Sequence, residues 1–288
     1  HPVMARTGHS FMKRELAARP GCRLAAEMSG HLFPADRGWY GFDCSLYNAA
    51  RLVDLWSRLS TGEGALLHFA PTHVSARNLA ASGVVGQTIT TGNTVIDALL
   101  LMAKKAPPFE LPGLDFEKQR VILATVHRRE NWGERLQEIG KGFLAVLERY
   151  PDTALLLPLH RNPTVREPLQ ALLGDHPRAF LTEPLDYDRL VAAMRGSTLL
   201  LTDSGGLQEE APALGKPVLV LRRTTERPEA VDAGTAKLIG TDSADILREA
   251  SLLLDNAEAY EEMARAHNPF GDVQASTRIL DACRSFLN

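Results

Sequence analysis

Leu199-Leu200-Leu201-Thr202-Asp203-Ser204-Gly205-Gly206-Leu207-Gln208-Glu209-Glu210-Ala211-Pro212 reads as a buried strand that breaks at a Ser-Gly-Gly turn and restarts as a helix. Such a turn directs unpaired backbone N–H groups outward at a helix N-terminus, which suits a phosphate. Gly205 and Gly206 let the backbone approach a ligand closely. Glu209 and Glu210 are expected in the first helical turn, where a carboxylate can accept hydrogen bonds from two ribose hydroxyls. The helix dipole favours acids there in any case, so this segment alone leaves a plain strand-to-helix turn open.

The surrounding sequence repeats the theme. Pro217-Val218-Leu219-Val220-Leu221 is a second apolar run, followed by a loop carrying Arg222, Arg223 and Arg227. Arginines can grip a diphosphate by forked hydrogen bonds. Arg120 to Val126 is apolar and ends in His127-Arg128-Arg129-Glu130-Asn131, and Ala154 to Leu159 ends in His160-Arg161-Asn162-Pro163. Polar, cationic clusters thus follow apolar strands, and open parallel sheets bind ligands beyond the carboxyl ends of their strands.

From Leu67 onward, strands and helices alternate. Helices are expected at Val74 to Ser82, Thr94 to Lys105, Glu134 to Arg149, Val165 to Leu173, Tyr187 to Arg195 and Ala275 to Phe286. Strands are expected at Phe69 to Thr72, Gln87 to Thr91, and around Val121, Leu155, Phe180 and Leu199. The fold class read from this is α/β: a Rossmann-like, mainly parallel sheet with helices on both faces. The terminal helix gathers Ile279, Leu280, Cys283, Phe286 and Leu287 on one side.

Thr125 to Asn131, Pro158 to Pro163, Thr202 to Pro212, Thr225-Glu226-Arg227-Pro228-Glu229-Ala230 and Asn268-Pro269-Phe270-Gly271-Asp272 occur in one order. That set resembles the C-terminal domain of non-hydrolysing UDP-N-acetylglucosamine 2-epimerases, with the similarity running from near Leu67 to the C-terminus. The resemblance implies one half of a GT-B-type two-domain architecture. It also implies interconversion of UDP-N-acetylglucosamine and its N-acetylmannosamine epimer by elimination and re-addition of UDP. On that basis UDP falls to His127, Ser204, Gly205, Gly206, Glu210 and Arg227, with His127 near the diphosphate. Arg128 and His160 take a regulatory or second-substrate role. The residues alone leave plainer readings open beside these: His127 as a strand-end histidine, His160 as a turn residue, Arg222 and Arg223 as solvated charges, and Arg128 with Glu130 as a simple salt bridge.

The first sixty residues read differently. Arg6 to Lys13, Glu27-Met28-Ser29-Gly30-His31 and Trp39 to Asp43 resemble the sugar-reading domain of phosphomannomutase/phosphoglucomutase enzymes, with Ala26 where that pattern has glycine. The resemblance places His9, Glu27, Ser29 and His31 in a phosphosugar-loop remnant, a small α+β fragment. The expected organisation is residues 1–61 mutase-like, 62–66 a Gly-rich junction after an amphipathic helix at Leu46 to Leu59, and 67–288 the UDP-binding domain. Neither the phosphoserine and Asp-rich loops of a mutase nor the Gly-Thr-Arg-Pro-Glu loop of the epimerase N-terminal domain occurs in the sequence. With His1 in place of an initiating Met, the chain therefore reads as a fusion that lacks the N-terminal catalytic domain. A non-catalytic UDP-binding or assembly module, a mis-joined fusion, and a GT-B UDP-sugar glycosyltransferase stand as alternatives.

Composition bounds the partners. The 288 residues are 44% hydrophobic and 23% charged, with a net charge of −3, which argues against a nucleic-acid surface. Cys22, Cys44 and Cys283 show neither a metal-ligand spacing nor a disulfide pattern, consistent with reduced thiols in the cytoplasm. No apolar run approaches the ~20 residues needed to cross a bilayer. The expected ligand is a UDP-sugar with no cofactor or metal, and the expected contact is a homodimer partner or an N-terminal domain.

Overall fold

The computed structural model describes residues 67–287; the mutase-like segment, with His9, Glu27, Ser29 and His31, the helix expected at Leu46 to Leu59 and the junction lie outside the described residues. The described residues divide into two compact units, one holding 67–101 together with 270–287, the other Met102–Pro269.

In the first unit, strands β1 (Leu67–Ala70) and β2 (Gln87–Thr90) pair in parallel through helix α1 (His73–Ala81). Thr72 caps α1 by accepting from the Ser75 N–H at 3.0 Å, and Gly83 ends it at φ 69°, a left-handed turn that glycine makes without strain. Helix α2 (Thr94–Lys105) follows, and α10 (Ala275–Leu287) closes the chain. The Ser276 N–H donates to Asp97 Oδ2 at 2.7 Å, and Arg278 forks onto Asp272 while donating to the Thr91 carbonyl. On α10, Phe286 is exposed, while Ile279, Leu280 and Cys283 are half-buried.

The second unit is built on six parallel strands: β3 (Arg120–Thr125), β4 (Thr153–Pro158), β5 (Ala179–Thr182), β6 (Leu199–Thr202), β7 (Val218–Val220) and β8 (Ala236–Leu238). Their order is β5-β4-β3-β6-β7-β8, so the winding reverses between β3 and β6. The helices are α3 (Glu134–Arg149), α4 (Pro163–Leu173), α5 (Tyr187–Gly196), α6 (Gly205–Glu210), α7 (Pro228–Asp232), α8 (Ser243–Asp255) and α9 (Ala257–Arg265). The strands are apolar without alternation because both faces of the sheet are covered. Ile122, Ala124, Leu155, Leu157, Leu199 and Leu201 pack with Leu136, Ile139 and Phe143 of α3, Val165 and Leu169 of α4, and Ile246 of α8. The intervening residues, such as Val121, Leu123, Leu156 and Leu200, are equally buried and point to the other face, where α5 packs. Each fully buried large side chain contributes about 1.5–3 kcal/mol. Close helix packing depends on two glycines of α3. A Cβ on Gly140 would lie 2.7 Å from Leu172, and one on Gly142 would lie 2.9 Å from Ile246.

Candidate functional site at the topological switch point

The strands that flank the reversal, β3 and β6, end side by side. Their last residues join through Thr125 Oγ1 and Thr202 Oγ1, 2.6 Å apart. Beyond them, β3 runs into His127 and β6 into Asp203. Asp203 is fully buried, and its carboxylate gathers the backbone N–H groups of His127 and Arg128, His127 Nδ1 at 2.6 Å, and Asn131 Nδ2 at 3.0 Å. Burial alone would raise the Asp203 pKa. The hydrogen bonds from His127 and the neighbouring backbone outweigh it and hold the carboxyl below its usual range. An acceptor-only carboxylate assigns the proton to Nδ1 of His127, which turns Nε2 away from Asp203 on a ring that is 42% exposed.

His160, at the end of β4, lies 6.4 Å from His127 between ring centroids. Its Nδ1 accepts the Asn162 N–H at 3.1 Å, so the turn role expected of it is present. Burial, then the neighbouring His127, lowers its pKa and favours the neutral ring.

Ser204 stands at the N-cap of α6 with extended backbone, yet its hydroxyl makes no capping hydrogen bond. The first-turn N–H groups therefore have no side-chain cap. Neither Gly205 nor Gly206 has positive φ. A Cβ on Gly206, which is exposed, would meet only Ser204 Oγ at 3.9 Å. Backbone conformation and packing do not require glycine at 206; what its absent side chain leaves is open space beside the serine hydroxyl.

The acids correct an expectation. Because α6 starts at Gly205, Glu209 and Glu210 fall at its C-terminal end, and both point inward and are buried. Glu209 pairs with the buried Arg227 through Arg227 Nε. Glu210 Oε1 accepts from the Tyr187 hydroxyl at 3.0 Å, and burial, aided by the charge of Glu209, pushes the Glu210 pKa up to about 7 against the opposing Tyr187 bond. Gln208 ties the turn to the next loop. Its Nε2 donates to the Ser204 carbonyl and its Oε1 accepts from Thr225 Oγ1, which in turn accepts the Arg227 N–H.

The arginine loop corrects another. Arg222 is buried rather than solvated. It donates to Glu130 at 2.5 Å and forks onto Glu226 at 2.5 and 3.1 Å. Arg223 is exposed. Arg128 does not pair with Glu130 in a simple bridge: it reaches Glu226 at 3.6 Å and the Asp203 carbonyl at 3.3 Å. The long side chains cross-connect two loops that adjacent positions in sequence do not reveal. Arg222 donation holds Glu226 down at about 2, and the same bonds raise Arg222 further.

The structure thus brings His127, Arg128, His160 and Ser204 together around the ends of β3, β4 and β6, and sets Glu210 and Arg227 in the layer behind the Ser-Gly-Gly turn. Asp203, Asn131, Tyr187, Gln208 and Thr225 were not singled out from sequence. Asp203 carried a usable signal, an acid immediately after a fully apolar strand that must find donors. Tyr187, 23 residues from Glu210, carried none. Among the described residues no group of three or more His, Cys, Asp or Glu could hold a metal ion, and no helix is long and apolar enough to cross a membrane.

The profile of the UDP-N-acetylglucosamine 2-epimerase family matches residues 47–284. The match starts upstream of Leu67, where the motifs place the beginning of the resemblance. The UDP-N-acetylglucosamine 2-epimerase of Escherichia coli K12 is 46% identical over 239 residues, 80% of this chain and 63% of that protein. The crystal structure of UDP-GlcNAc 2-epimerase from Neisseria meningitidis bound to UDP-GlcNAc superposes with a TM-score of 0.72 at 41% identity, over 82% of this chain and 63% of that one. The S. aureus MnaA–UDP co-structure gives 0.72 at 43% identity, over 78% and 61%. The chain spans 63–64% of the length of these curated relatives.

Proposed function

The chain belongs to the UDP-N-acetylglucosamine 2-epimerase family, and from that premise we propose that it binds UDP at the switch point and serves the interconversion of UDP-N-acetylglucosamine and UDP-N-acetylmannosamine. In that reaction a base removes the C2 proton, the C1–O bond breaks with its electron pair leaving on UDP, and UDP then re-adds at C1 as a proton returns to the opposite face of C2. The departing diphosphate gains negative charge, so donors already in place lower the barrier. In this reading Ser204 Oγ, the backbone N–H groups of Gly205 and Gly206, and His127 hold the diphosphate, Glu210 takes the ribose, and Arg227, steadied by Glu209, is the cation on the nucleotide side. Arg128 and His160 form the second-substrate or regulatory side, which their approach to Asp203 and to the His127 ring supports.

The observation that carries the reading is the buried Asp203 carboxylate fixing His127 beside an uncapped Ser-Gly-Gly turn. The proposal extends to a cytoplasmic setting, to a homodimer or an N-terminal domain as partner, and to residues 67–288 as the UDP-binding domain. Of the mutase-like reading of residues 1–61, the proposal keeps only the part ahead of position 47, because the epimerase family profile matches from there on.

Calorimetric titration with UDP, followed by NMR of added UDP-N-acetylglucosamine, tests the proposal. UDP binding weakened at least tenfold by His127→Ala or Ser204→Ala supports the site. Turnover in the same sample supports the whole reaction, whereas binding without turnover reduces the function to a UDP-binding module. No binding overturns the reading.

A further inference from the structure

Among the described residues, Glu210 is the acid of the site layer that meets no cation. Tyr187, the first residue of α5, donates its hydroxyl to Glu210 Oε1 at 3.0 Å, and both side chains are buried. Glu210 Oε2 makes no hydrogen bond with any described residue. The other charged group facing Glu210 is Glu209, itself paired with Arg227 at the start of α7. The turn that follows, Ala211–Leu214, brings no titratable side chain.

A glutamate has three rotatable bonds, and its terminal torsion is broad. A hydrogen bond to one oxygen defines the plane of the carboxyl and the direction in which the other oxygen points. We propose that Tyr187 is a positioning residue, holding Glu210 so that its free oxygen meets the 2′-hydroxyl of a ribonucleotide and the site selects ribose over 2′-deoxyribose. The inference rests on the UDP reading above and deepens it. A site built to pair with a substrate hydroxyl discriminates strongly against the analogue that lacks it.

The same geometry couples binding to a proton. With burial raising its pKa to about 7, the Glu210 carboxyl is partly protonated near neutrality in the free protein. Hydroxyl donation stabilises the carboxylate, so UDP drives a proton off that 2′-deoxy-UDP leaves in place. The Tyr187 bond lowers the Glu210 pKa, so removing it moves the midpoint of this coupling to higher pH.

Calorimetry of the full chain with UDP and 2′-deoxy-UDP between pH 6 and 8 tests the proposal, using Tyr187→Phe and Glu210→Gln. The unaltered chain is expected to prefer UDP by about tenfold or more. Tyr187→Phe should bring the two ligands within about threefold of each other, leave 2′-deoxy-UDP affinity nearly unchanged and raise the pH midpoint, while Glu210→Gln abolishes the pH dependence that separates the two ligands. A folded Tyr187→Phe variant that keeps both the ratio and the midpoint overturns the proposal. Should that variant fail to fold, proton release by the unaltered chain decides, read in buffers of different ionisation heat. Greater release with UDP than with 2′-deoxy-UDP supports it, and equal release overturns it. Failure of the unaltered chain to bind either nucleotide overturns the UDP reading itself, a distinct result.

Discussion

On the β3 side of the switch point one buried carboxylate, Asp203, is satisfied by backbone N–H groups, an imidazole and an amide; on the β7 side the carboxylates of Glu130, Glu226 and Glu209 are taken up by the long side chains of Arg222 and Arg227. The first arrangement draws on groups at the ends of two hydrogen-bonded strands, so its geometry is set by the sheet. The second depends on side chains from two loops and helix α6 that satisfy one another. A site divided in this way has one half organised before a ligand arrives and another whose cations must share or exchange partners to meet an anion. Preorganised donors are the ones that stabilise developing charge without reorganisation.

The largest expected effect tests the rigid half. Asp203→Ala leaves the buried Asn131 amide and the part-buried donors of His127 and Arg128 without this acceptor and should cost about 3–5 kcal/mol in urea unfolding, with UDP binding lost as His127 is released. Asp203→Asn, which keeps the shape but turns an N–H toward donors, should recover only a fraction of that. A near-neutral Asp203→Ala would break the contrast between the halves.

Next comes the Arg227–Glu209 pair on the adaptable side. Removing either partner leaves a buried charge, so Arg227→Met or Glu209→Gln alone should cost about 3 kcal/mol, while the double substitution should recover most of it. Additive losses in that cycle would show that the loop half is not held by mutual charge satisfaction.

Gly206→Ala separates binding from folding. Open space at 206 predicts an unchanged melting temperature and UDP affinity reduced by about tenfold, or about 1.4 kcal/mol. A loss of stability of comparable size would mean that the glycine serves the fold.

The smallest effect concerns Glu226. Donation from Arg222 depresses its pKa from the usual 4.5 to about 2, so its contribution is present above pH 4.5 and lost as pH falls through 2. With 37% of the side chain exposed, solvent screening reduces that contribution to about 1 kcal/mol or less. Glu226→Gln should therefore cost about 1 kcal/mol at pH 7 and progressively less below pH 4.5 in acid-unfolding curves. A cost independent of pH would assign the loss to packing rather than charge.

The alternating pattern from Leu67 onward was legible because period and punctuation are local properties. Helices α2 and α3 occur at the residues expected, and the apolar runs at Val121, Leu155 and Leu199 form central strands. The meeting of the polar clusters that make up the candidate site was legible too, since clusters after buried strands converge wherever a parallel sheet reverses its winding. The partners of the charged residues were not. Glu209 and Glu210 both read as first-turn acids open to a ligand, yet a helix that begins at Gly205 pairs Glu209 with Arg227 and engages one oxygen of Glu210 with the Tyr187 hydroxyl. Arg222 read as solvated because nothing nearby in sequence announces Glu130, 92 residues away.

By itself the sequence determined the α/β class, the order of the elements from β1 to β7 and the family, because hydrophobic period, turn chemistry and motif order are written along the chain; β8 and helices α7, α8 and α9 were not read from it. Only the tertiary structure decided which polar groups face one another. That depends on the β5-β4-β3-β6-β7-β8 strand order, which sets His127 beside Asp203 and brings together side chains that the chain itself keeps dozens of residues apart.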